Sequence, residues 1–358
     1  MKELSKELQA SILSEKQHSG FDAMHTGSLD FTKSNSPISD YCAYALKHCN
    51  AGAAVNAAYE LRNFLKSGGK IFLSIAGALS SFQIGKVLAE LIRKDKIHGI
   101  SATGANFEES FYRYVAHSHY KYIPNYTDLT PEQEAELRDA GYRRITDTFL
   151  PEEQSVKILE PILNQYWKEA TKNNQSYLPH EYMFRLFEED KIKPDPNSNS
   201  LDCWAKAAWE KDIQVVVPGW EDSTVGNIFA AYSYDKKENV SSTVVKSGVH
   251  YMHSMYDWYQ GKSKKPGIAF LQLGGGIAGD FPICVVPSLK HDLYLDNVMD
   301  WASFTEISSS PMSYGSYSGA GGKEKITWDK LSTDSRYTII QSDATIVFPL
   351  IAAILLEI

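Results

Sequence analysis

The segment SGAGGKEKITWDKLS, residues 318 to 332, brings together the residue types that covalent amine chemistry requires. A glycine-rich turn is followed by Trp328 and Lys330, two residues apart. If residues 326 to 330 are extended, the two side chains project to the same side, since side chains alternate along a strand. An aromatic wall and neighbouring lysines both lower a lysine pKa, as an imine-forming amine requires. Most lysines are nevertheless solvated, so both interpretations stay open.

Carboxylates in other small-residue turns are further candidates. Glu108 and Glu109 in SATGANFEES can hold a cation or a ribose hydroxyl. They can equally be first-turn helix residues that suit the helix dipole. Asp222 in PGWEDSTVGN and Asp343 in QSDAT each follow an apolar run, where aspartate is often a helix N-cap. For all four residues the pattern allows a binding role or a purely structural one.

Two further patterns favour a structural interpretation. The segment GGGIAG, residues 274 to 279, satisfies GxGxxG after an apolar run, as in a dinucleotide-binding turn. That turn should open a helix, yet Pro282 and Pro287 follow closely, which favours a tight turn that merely needs glycine. The HSH and HYMH spacings lack the HExxH order and a nearby cysteine, so we predict no metal site at His117, His119, His250 or His253.

The elements that must position these residues follow a regular order from Lys70 onward. Six short apolar runs are each followed by a small-residue turn: KIFLSIAGALSS, HGISATGANFEE, QVVVPGWEDS, GIAFLQLGGG, ASFTEISSS and YTIIQSDATIVF. Helix-length segments lie between most of them. Alternation of buried strands with helices predicts an α/β fold with a doubly wound, mostly parallel sheet. Ligands bind beyond the carboxyl ends of such strands, so the turns become the candidate site.

The remaining segments are predicted to be helical or to form loops within a single domain, residues 1–358. Residues 1–65 form a helical N-terminal extension, clearest in YCAYALKHCNAGAAVNAAYELRNFLKSG. LPEEQSVKILEPILNQYWKEATKNN is a long helix that starts at Pro151 and is kinked or ended by Pro161. Residues 191 to 200 are a loop, and HYMHSMYDWYQ is an amphipathic packed helix.

Composition excludes several classes of protein. With 36 basic and 44 acidic residues in 358, the net charge of -8 argues against nucleic acid and anionic membranes as partners. The four cysteines form no CxxC pair, so neither a zinc site nor a disulfide framework is indicated. The N-terminus lacks the apolar core of a signal peptide, and the longest apolar run, residues 346–356, is too short to span a bilayer. We therefore expect a cytoplasmic protein.

Taken together, the turns occur in a recognisable order. FLSIAGALSS, ATGANFEE, GYRRITDTFLPEE, PGWEDSTVG, LGGG, YGSYSGA, W-x-K and SDATIVFPL follow one another as in deoxyhypusine synthases, which the chain resembles over roughly residues 40 to 358. The resemblance implies a Rossmann-like fold, a homotetramer and NAD as cofactor. It also implies oxidation of spermidine, release of 1,3-diaminopropane and transfer of the aminobutyl group, through a lysine imine, to an acceptor amine.

The resemblance also assigns roles to residues. Lys330 matches the covalent nucleophile, with Trp328 packing the polyamine chain. The cofactor turns match at Leu79, Ser81, Thr103, Glu109, Asp222, Gly275, Asp343 and Ala344, while Ser309 and Ser310 replace a Thr-Ala pair. The polyamine contacts match at Glu108, Glu109, Gly315, Ser316 and Glu324.

Departures from the family pattern concern the amine. Asn227 stands where eukaryotic members have an aspartate, Asp280 replaces a histidine, and Tyr317 replaces another aspartate. This rearrangement resembles a bacterial branch, some of whose members make homospermidine. It implies spermidine as donor and a small acceptor such as putrescine. A lysine of a translation factor remains an alternative acceptor, and a non-catalytic protein that binds NAD or polyamine remains a second alternative.

Overall fold

A computed structural model describes residues 38–357, and a six-stranded sheet with all neighbouring strands parallel lies at its centre. Within the described part, the strands are β1 (Lys70–Ile75), β2 (Gly99–Ala102), β3 (Lys121–Tyr122), β4 (Tyr142–Ile145), β5 (Thr148–Pro151), β6 (Gln214–Val216), β7 (Ile268–Leu273), β8 (Trp301–Ser308) and β9 (Leu331–Gln341). The strand order of the central sheet is β6-β2-β1-β7-β8-β9.

Helices pack around this sheet, so the predicted Rossmann-like α/β class is confirmed. They are α1 (Ile38–Ala45), α2 (Cys49–Lys66), α3 (Gly85–Arg93), α4 (Gly104–Ala116), α5 (Pro131–Asp139), α6 (Val156–Asn173), α7 (Pro179–Glu188), α8 (Trp204–Glu210), α9 (Thr224–Tyr234), α10 (Gly248–Lys262), α11 (Ile277–Ile283), α12 (Val285–Pro287), α13 (Glu324–Thr327) and α14 (Ala344–Leu356). A π-helical turn, Ser288–Asp292, follows α12.

All six predicted apolar runs form strands of the central sheet. β2 and β6 lie on one side of β1 in the sheet. The later strands β7, β8 and β9 lie on its other side. β7 is paired with β1 along its whole length, from Lys70 opposite Ile268 to Ile75 opposite Leu273. The order reverses between β1 and β7, and in doubly wound sheets the ligand crevice opens at such a point.

A second, antiparallel sheet with the order β3-β5-β4 was not predicted. Pro151 is the last residue of β5 and does not start a helix, so that prediction is wrong. Helix α6 begins at Val156 and continues through Pro161, so this proline does not end the helix. Buried apolar residues on either side of the proline, including Leu159 and Leu163, anchor both parts of this helix in the core.

Other local predictions agree with the structure. Tyr251, Met255 and Tyr259 are the buried face of α10, as the amphipathic pattern indicates. Residues 191–199 lie outside helices and strands. Helices α1 and α2 cover residues 38–45 and 49–66 of the predicted N-terminal extension, whereas residues 1–37 lie outside the described residues. The single-domain organisation stays a prediction. Among the described residues, no helix is long and apolar enough to cross a membrane.

Candidate active site

The turns after the six parallel strands meet at one edge of the sheet, because all six carboxyl ends point the same way. This edge holds the residues proposed for the cofactor. Leu79 and Ser81 follow β1, Thr103 follows β2, Asp222 follows β6, Gly275 follows β7, Ser309 and Ser310 follow β8, and Asp343 and Ala344 follow β9. The structure thus places residues from six distant stretches of sequence along one edge.

The first turn is fixed by Asn106, a buried residue of α4 that the motif analysis did not single out. Its Nδ2 donates to the carbonyl oxygens of Ala76 and Gly77 at 2.9 and 2.7 Å, and its Oδ1 accepts from the backbone N–H of Ser80 at 2.9 Å. The Thr103 hydroxyl donates to the Gly77 carbonyl at 2.6 Å. These bonds fix the backbone conformation of the turn after β1.

The adjacent glutamates have separate roles in the fold. Both are buried in the second turn of α4, so neither is the first-turn residue that was considered. Glu108 accepts hydrogen bonds from the backbone N–H groups of Thr224 and Val225 at 3.0 and 2.8 Å, at the start of α9. Glu109 accepts from the Tyr120 hydroxyl at 3.0 Å, and burial raises the pKa of Glu109 to about 7.

Asp222 and Asp343, the two aspartates of the turns, differ in their hydrogen bonding to the helices that follow them. Asp343 is the N-cap of α14, since its Oδ1 accepts from the backbone N–H of Thr345 at 2.7 Å. Ser223, rather than Asp222, is the N-cap of α9, which leaves the Asp222 carboxylate exposed. Asn227 lies on the exposed side of α9, where its amide donates to the Ser223 carbonyl at 2.7 Å.

A cleft of about 800 Å³ gathers most of the predicted amine contacts. Seven of the predicted residues line it: Asp280, Gly315, Ser316, Tyr317, Glu324, Trp328 and Lys330. Cys284, Met312 and Lys325 also belong to the wall. Glu108, Glu109 and Asn227 do not line this cleft, so the structure does not bring those three together with Lys330.

Lys330 is a buried amine in this cleft, only 7% exposed. Its Nζ lies 3.0 Å from Oδ1 of Asp280 and 5.4 Å from the ring centroid of Tyr317. The expected extended segment is wrong, because residues 324–327 form α13 and Asp329 adopts a positive φ. Trp328 consequently turns outward and is 64% exposed, although its ring centroid is still 5.9 Å from the Lys330 Nζ.

The glycine-rich turn after β7, residues 274–276, packs against a serine-rich loop, residues 309–320, several of whose residues line the cleft. A Cβ on Gly275 would lie 2.3 Å from the Cβ of Ser318, so this turn and the serine-rich loop pack closely. Helix α11 opens directly after the turn and contains Pro282, contrary to the expectation that the prolines would prevent a helix. Because α11 starts here, its residue Asp280 faces Lys330.

Comparison with known families matches residues 39–355 to the family described as deoxyhypusine synthase. The chain belongs to this family. Two relatives, both described as probable deoxyhypusine synthases, are 26% identical to it. The protein of Sulfurisphaera tokodaii matches over 86% of this chain and 88% of its own length, and that of Dictyostelium discoideum over 79% and 68%. Deoxyhypusine synthases are transferases, and this member is therefore a transferase.

Solved structures support the fold alone. A crystal structure assigned to a deoxyhypusine synthase of Entamoeba histolytica covers 92% of this chain and 95% of its own, with a TM-score of 0.53 and 11% identity. At that identity the likeness concerns the arrangement of strands and helices. The functional argument depends on the family match and on the residues of the cleft.

Deoxyhypusine synthases use NAD in general, and the crevice of this chain is compatible with a dinucleotide. Gly77 and Gly276 follow the two strands between which the sheet order reverses. Both have a positive φ, and no atom lies within 4 Å of where a Cβ would stand. Backbone free of side chains at a switch point allows close approach of a pyrophosphate.

Glu306, in the middle of β8, is a buried charged residue of the site region that the motifs did not predict. Lys325, one of the lysines expected beside Lys330, lies in α13 and is buried. The position of Glu306 inside the apolar run ASFTEISSS could have marked it as a site candidate, because glutamate is seldom fully buried unless it is paired. In the described part of the chain, His, Cys, Asp and Glu side chains form no group that could hold a metal ion.

Proposed function

We propose that this member of the family is an NAD-dependent aminobutyl transferase that uses spermidine as donor and a small diamine such as putrescine as acceptor. The product would be homospermidine. The observation that carries the proposal is the buried Lys330 amine, which lies 3.0 Å from a carboxylate inside a cleft of about 800 Å³. An amine so placed is suited to form an imine with a substrate carbon.

The chain's own residues would act as follows. Asp280 and Glu324 would bind the cationic amines of spermidine, and the Asp280 carboxylate could accept the proton that Lys330 loses. The Lys330 nitrogen would form a bond to the oxidised carbon, while the bond from that carbon to the nitrogen of 1,3-diaminopropane breaks. The acceptor amine would then displace Lys330 from the imine. Glu324 and Trp328 at the cleft wall would contact the polyamine chain, together with Gly315, Ser316 and Tyr317.

The cofactor would lie along the carboxyl edge of the sheet, held by Leu79, Ser81, Thr103, Glu109, Asp222, Gly275, Ser309, Ser310, Asp343 and Ala344. When bound, NAD supplies the redox chemistry by accepting a hydride from the carbon beside the secondary amine and returning it to the final imine. Spermidine and putrescine would thus be converted to homospermidine and 1,3-diaminopropane without net oxidation.

The proposed preference for a small acceptor comes from the residues that depart from the pattern of eukaryotic members. Tyr317 and Asn227 replace two acidic residues of eukaryotic members, and Asp280 adds one carboxylate close to Lys330. Asp280 and Glu324 are the carboxylates that line the described cleft, alongside two lysines. These two carboxylates would pair with the two ammonium groups of a compact diamine. The names of the relatives favour the alternative acceptor, a lysine of a translation factor.

Product analysis distinguishes these acceptors. Purified protein incubated with spermidine, NAD and putrescine is expected to release homospermidine and 1,3-diaminopropane, detected by mass spectrometry. Omitting putrescine in a matched reaction should remove homospermidine. Modification of a hypusine-type translation factor, with neither amine product formed, would replace our proposal by the protein acceptor.

A non-catalytic protein that binds NAD or polyamine is the second alternative. Borohydride added in the presence of spermidine and NAD should reduce the imine and leave a stable adduct on Lys330. Peptide mass spectrometry would locate it, and the exposed Lys323 serves as an internal control. Absence of any adduct on Lys330 would favour the silent binder.

A further inference from the structure

A cavity of about 530 Å³ lies at the amino ends of β1, β2 and β6, on the edge of the sheet opposite to the candidate active site. Lys70 opens β1, His98 precedes β2 and Gln214 opens β6, and all three residues line the cavity. Helices α7 and α10 supply more of the lining, including Trp258 and Lys262 from α10. Its volume suits a small molecule, since such sites typically measure about 300 to 1,000 Å³.

Two lysines of this cavity have no ion-pair partner in the described part of the chain, namely Lys70 and Lys262. Lys211 also lines the cavity, but its Nζ lies 2.6 Å from the carboxylate of Asp95. The helix dipole accounts for Lys262, which is the last residue of α10. It does not account for Lys70, a half-buried residue at the start of a strand. An anion in the cavity would give both lysines a partner.

The carboxylates of the same cavity offset this positive charge only in part. Glu181 lies in the first turn of α7, where it accepts from the backbone N–H of Leu178 and suits the positive end of the helix dipole. Asp212 is exposed to solvent. A smaller cavity of about 240 Å³ shares part of the wall and adds Lys66 and Lys96. The combined surface carries five lysines and three carboxylates, on a chain whose net charge is -8.

Two histidines of the cavity add neutral N–H donors. Nδ1 of His98 accepts from the backbone N–H of Ile71 at 3.2 Å, and Nδ1 of His180 lies 3.0 Å from the Tyr251 hydroxyl. Burial, followed by the charge of Lys70, lowers the pKa of His98 to about 4, and burial lowers the pKa of His180 to about 3. Near neutral pH both rings are therefore uncharged. With Nδ1 acting as the acceptor, each ring carries its hydrogen on Nε2 and can donate it.

We propose that this cavity binds a small molecule that carries phosphate, with Lys70 and Lys262 pairing with the phosphate oxygens. Phosphate accepts several hydrogen bonds at once, and lysine binds it as a point charge. The half-buried ring of Trp258, whose centroid lies 5.3 Å from that of Phe72, provides an aromatic wall for a planar group. A nucleotide has both the phosphate and the planar group, whereas free phosphate has only the first.

The test is calorimetric titration of the protein with magnesium-free ATP and, separately, with inorganic phosphate. Lys70→Met and Lys262→Met are each expected to weaken ATP binding by about tenfold, because each removes one charged contact. Lys172→Met, at an exposed lysine in the last turn of α6, is the matched control and should bind as the wild type does. Binding of both ligands would show that phosphate alone is sufficient, and binding of ATP alone would show that the planar group contributes.

Lysine acetylation with and without ATP, followed by peptide mass spectrometry, distinguishes this cavity from the proposed cofactor edge. Bound ATP should protect Lys70 and Lys262 and leave Lys172 and Lys323 unprotected. Because Lys262 is exposed, Lys262→Met keeps the test valid if Lys70→Met fails to fold. Equal ATP affinity in the wild type and every folded variant, or no binding at millimolar ATP, would overturn the proposal. The proposed amine transfer concerns the other edge of the sheet and stands or fails independently of this result.

Discussion

At the scale of single residues, the surroundings of Lys330 are supplied by parts of the chain that the sequence keeps far apart. Asp280 comes from α11, Tyr317 from the serine-rich loop and Lys325 from α13. The short segment around W-x-K singles out Lys330, which the structure buries in the cleft, and its role as the reacting amine stays a prediction. The segment also predicts Trp328 beside Lys330, and with the positive φ of Asp329 this ring lies exposed at the cleft wall, 5.9 Å from the Lys330 Nζ.

Replacing Lys330 by alanine is expected to abolish aminobutyl transfer and largely to spare NAD binding. The variant lacks the amine that would carry the aminobutyl group. The turns proposed to hold the cofactor follow the carboxyl ends of the strands, and Lys330 is not one of their residues. Product formation and NAD titration would be measured side by side, with Lys323→Ala as the matched control. Full activity of the Lys330→Ala variant would overturn the mechanism.

Glu109 is expected to make stability depend on pH. Its pKa is raised from 4.5 to about 7, chiefly by burial, so the native state binds the proton more tightly than the unfolded state. The associated stability is complete below about pH 4.5 and is lost as the pH rises through about 7. Glu109→Gln cannot ionise, and over this window it should gain about 2 to 3 kcal/mol relative to the wild type.

Urea unfolding of the wild type and of Glu109→Gln at either end of this pH window would measure that gain. Glu153→Gln, at an exposed position, is the control and should show no such trend. A difference between wild type and Glu109→Gln that does not change with pH would mean that Glu109 is not protonated in the native state near neutral pH.

At the scale of elements, close packing between the glycine-rich turn and the serine-rich loop shapes the cleft. Gly275→Ala is expected to reduce transfer at least tenfold, because the new methyl group would lie 2.3 Å from the Cβ of Ser318 and push the loop away. Gly321→Ala is the matched control at a glycine that lines the cleft, where the nearest atom, Sδ of Met312, is 3.8 Å away.

A second substitution shows whether Gly275→Ala acts by crowding Ser318 or by disrupting the fold in general. Ser318→Gly in the Gly275→Ala background removes the crowded Cβ and Oγ atoms and should restore part of the activity. Steady-state rates with spermidine and putrescine provide the measurement. If Gly275→Ala were as active as Gly321→Ala, the turn and the loop would have to move apart more easily than the contact between Gly275 and Ser318 indicates.

The elements differed in how far they could be predicted. Strands such as β1 and β7 are buried on both faces, and their continuous apolar runs bounded by glycine are a strong signal. β3 and β4 are short and mostly exposed or half-buried, so their residues carry no comparable pattern. The contact between Glu108 and the start of α9 joins residues 116 positions apart, and no local pattern could reveal it.

At the scale of the whole molecule, the resemblance leads us to propose a homotetramer. Met312 and Tyr314 are large side chains exposed at the serine-rich loop, beside the cleft. A group of this kind is commonly covered in an assembly. Light scattering after size-exclusion chromatography should give four times the chain mass of 40.1 kDa. A mass equal to that of one chain at micromolar concentration would contradict this proposal.

Because Trp328 is exposed at the cleft, its fluorescence is expected to respond to binding there. The chain has seven tryptophans, all within the described residues, and Trp328 is the only exposed one. Its indole should emit at longer wavelength than the buried ones and should be the most accessible to a collisional quencher such as iodide. An amine bound near Lys330 would shield this ring, so fluorescence of the unmodified protein can report occupancy of the cleft before any product is formed.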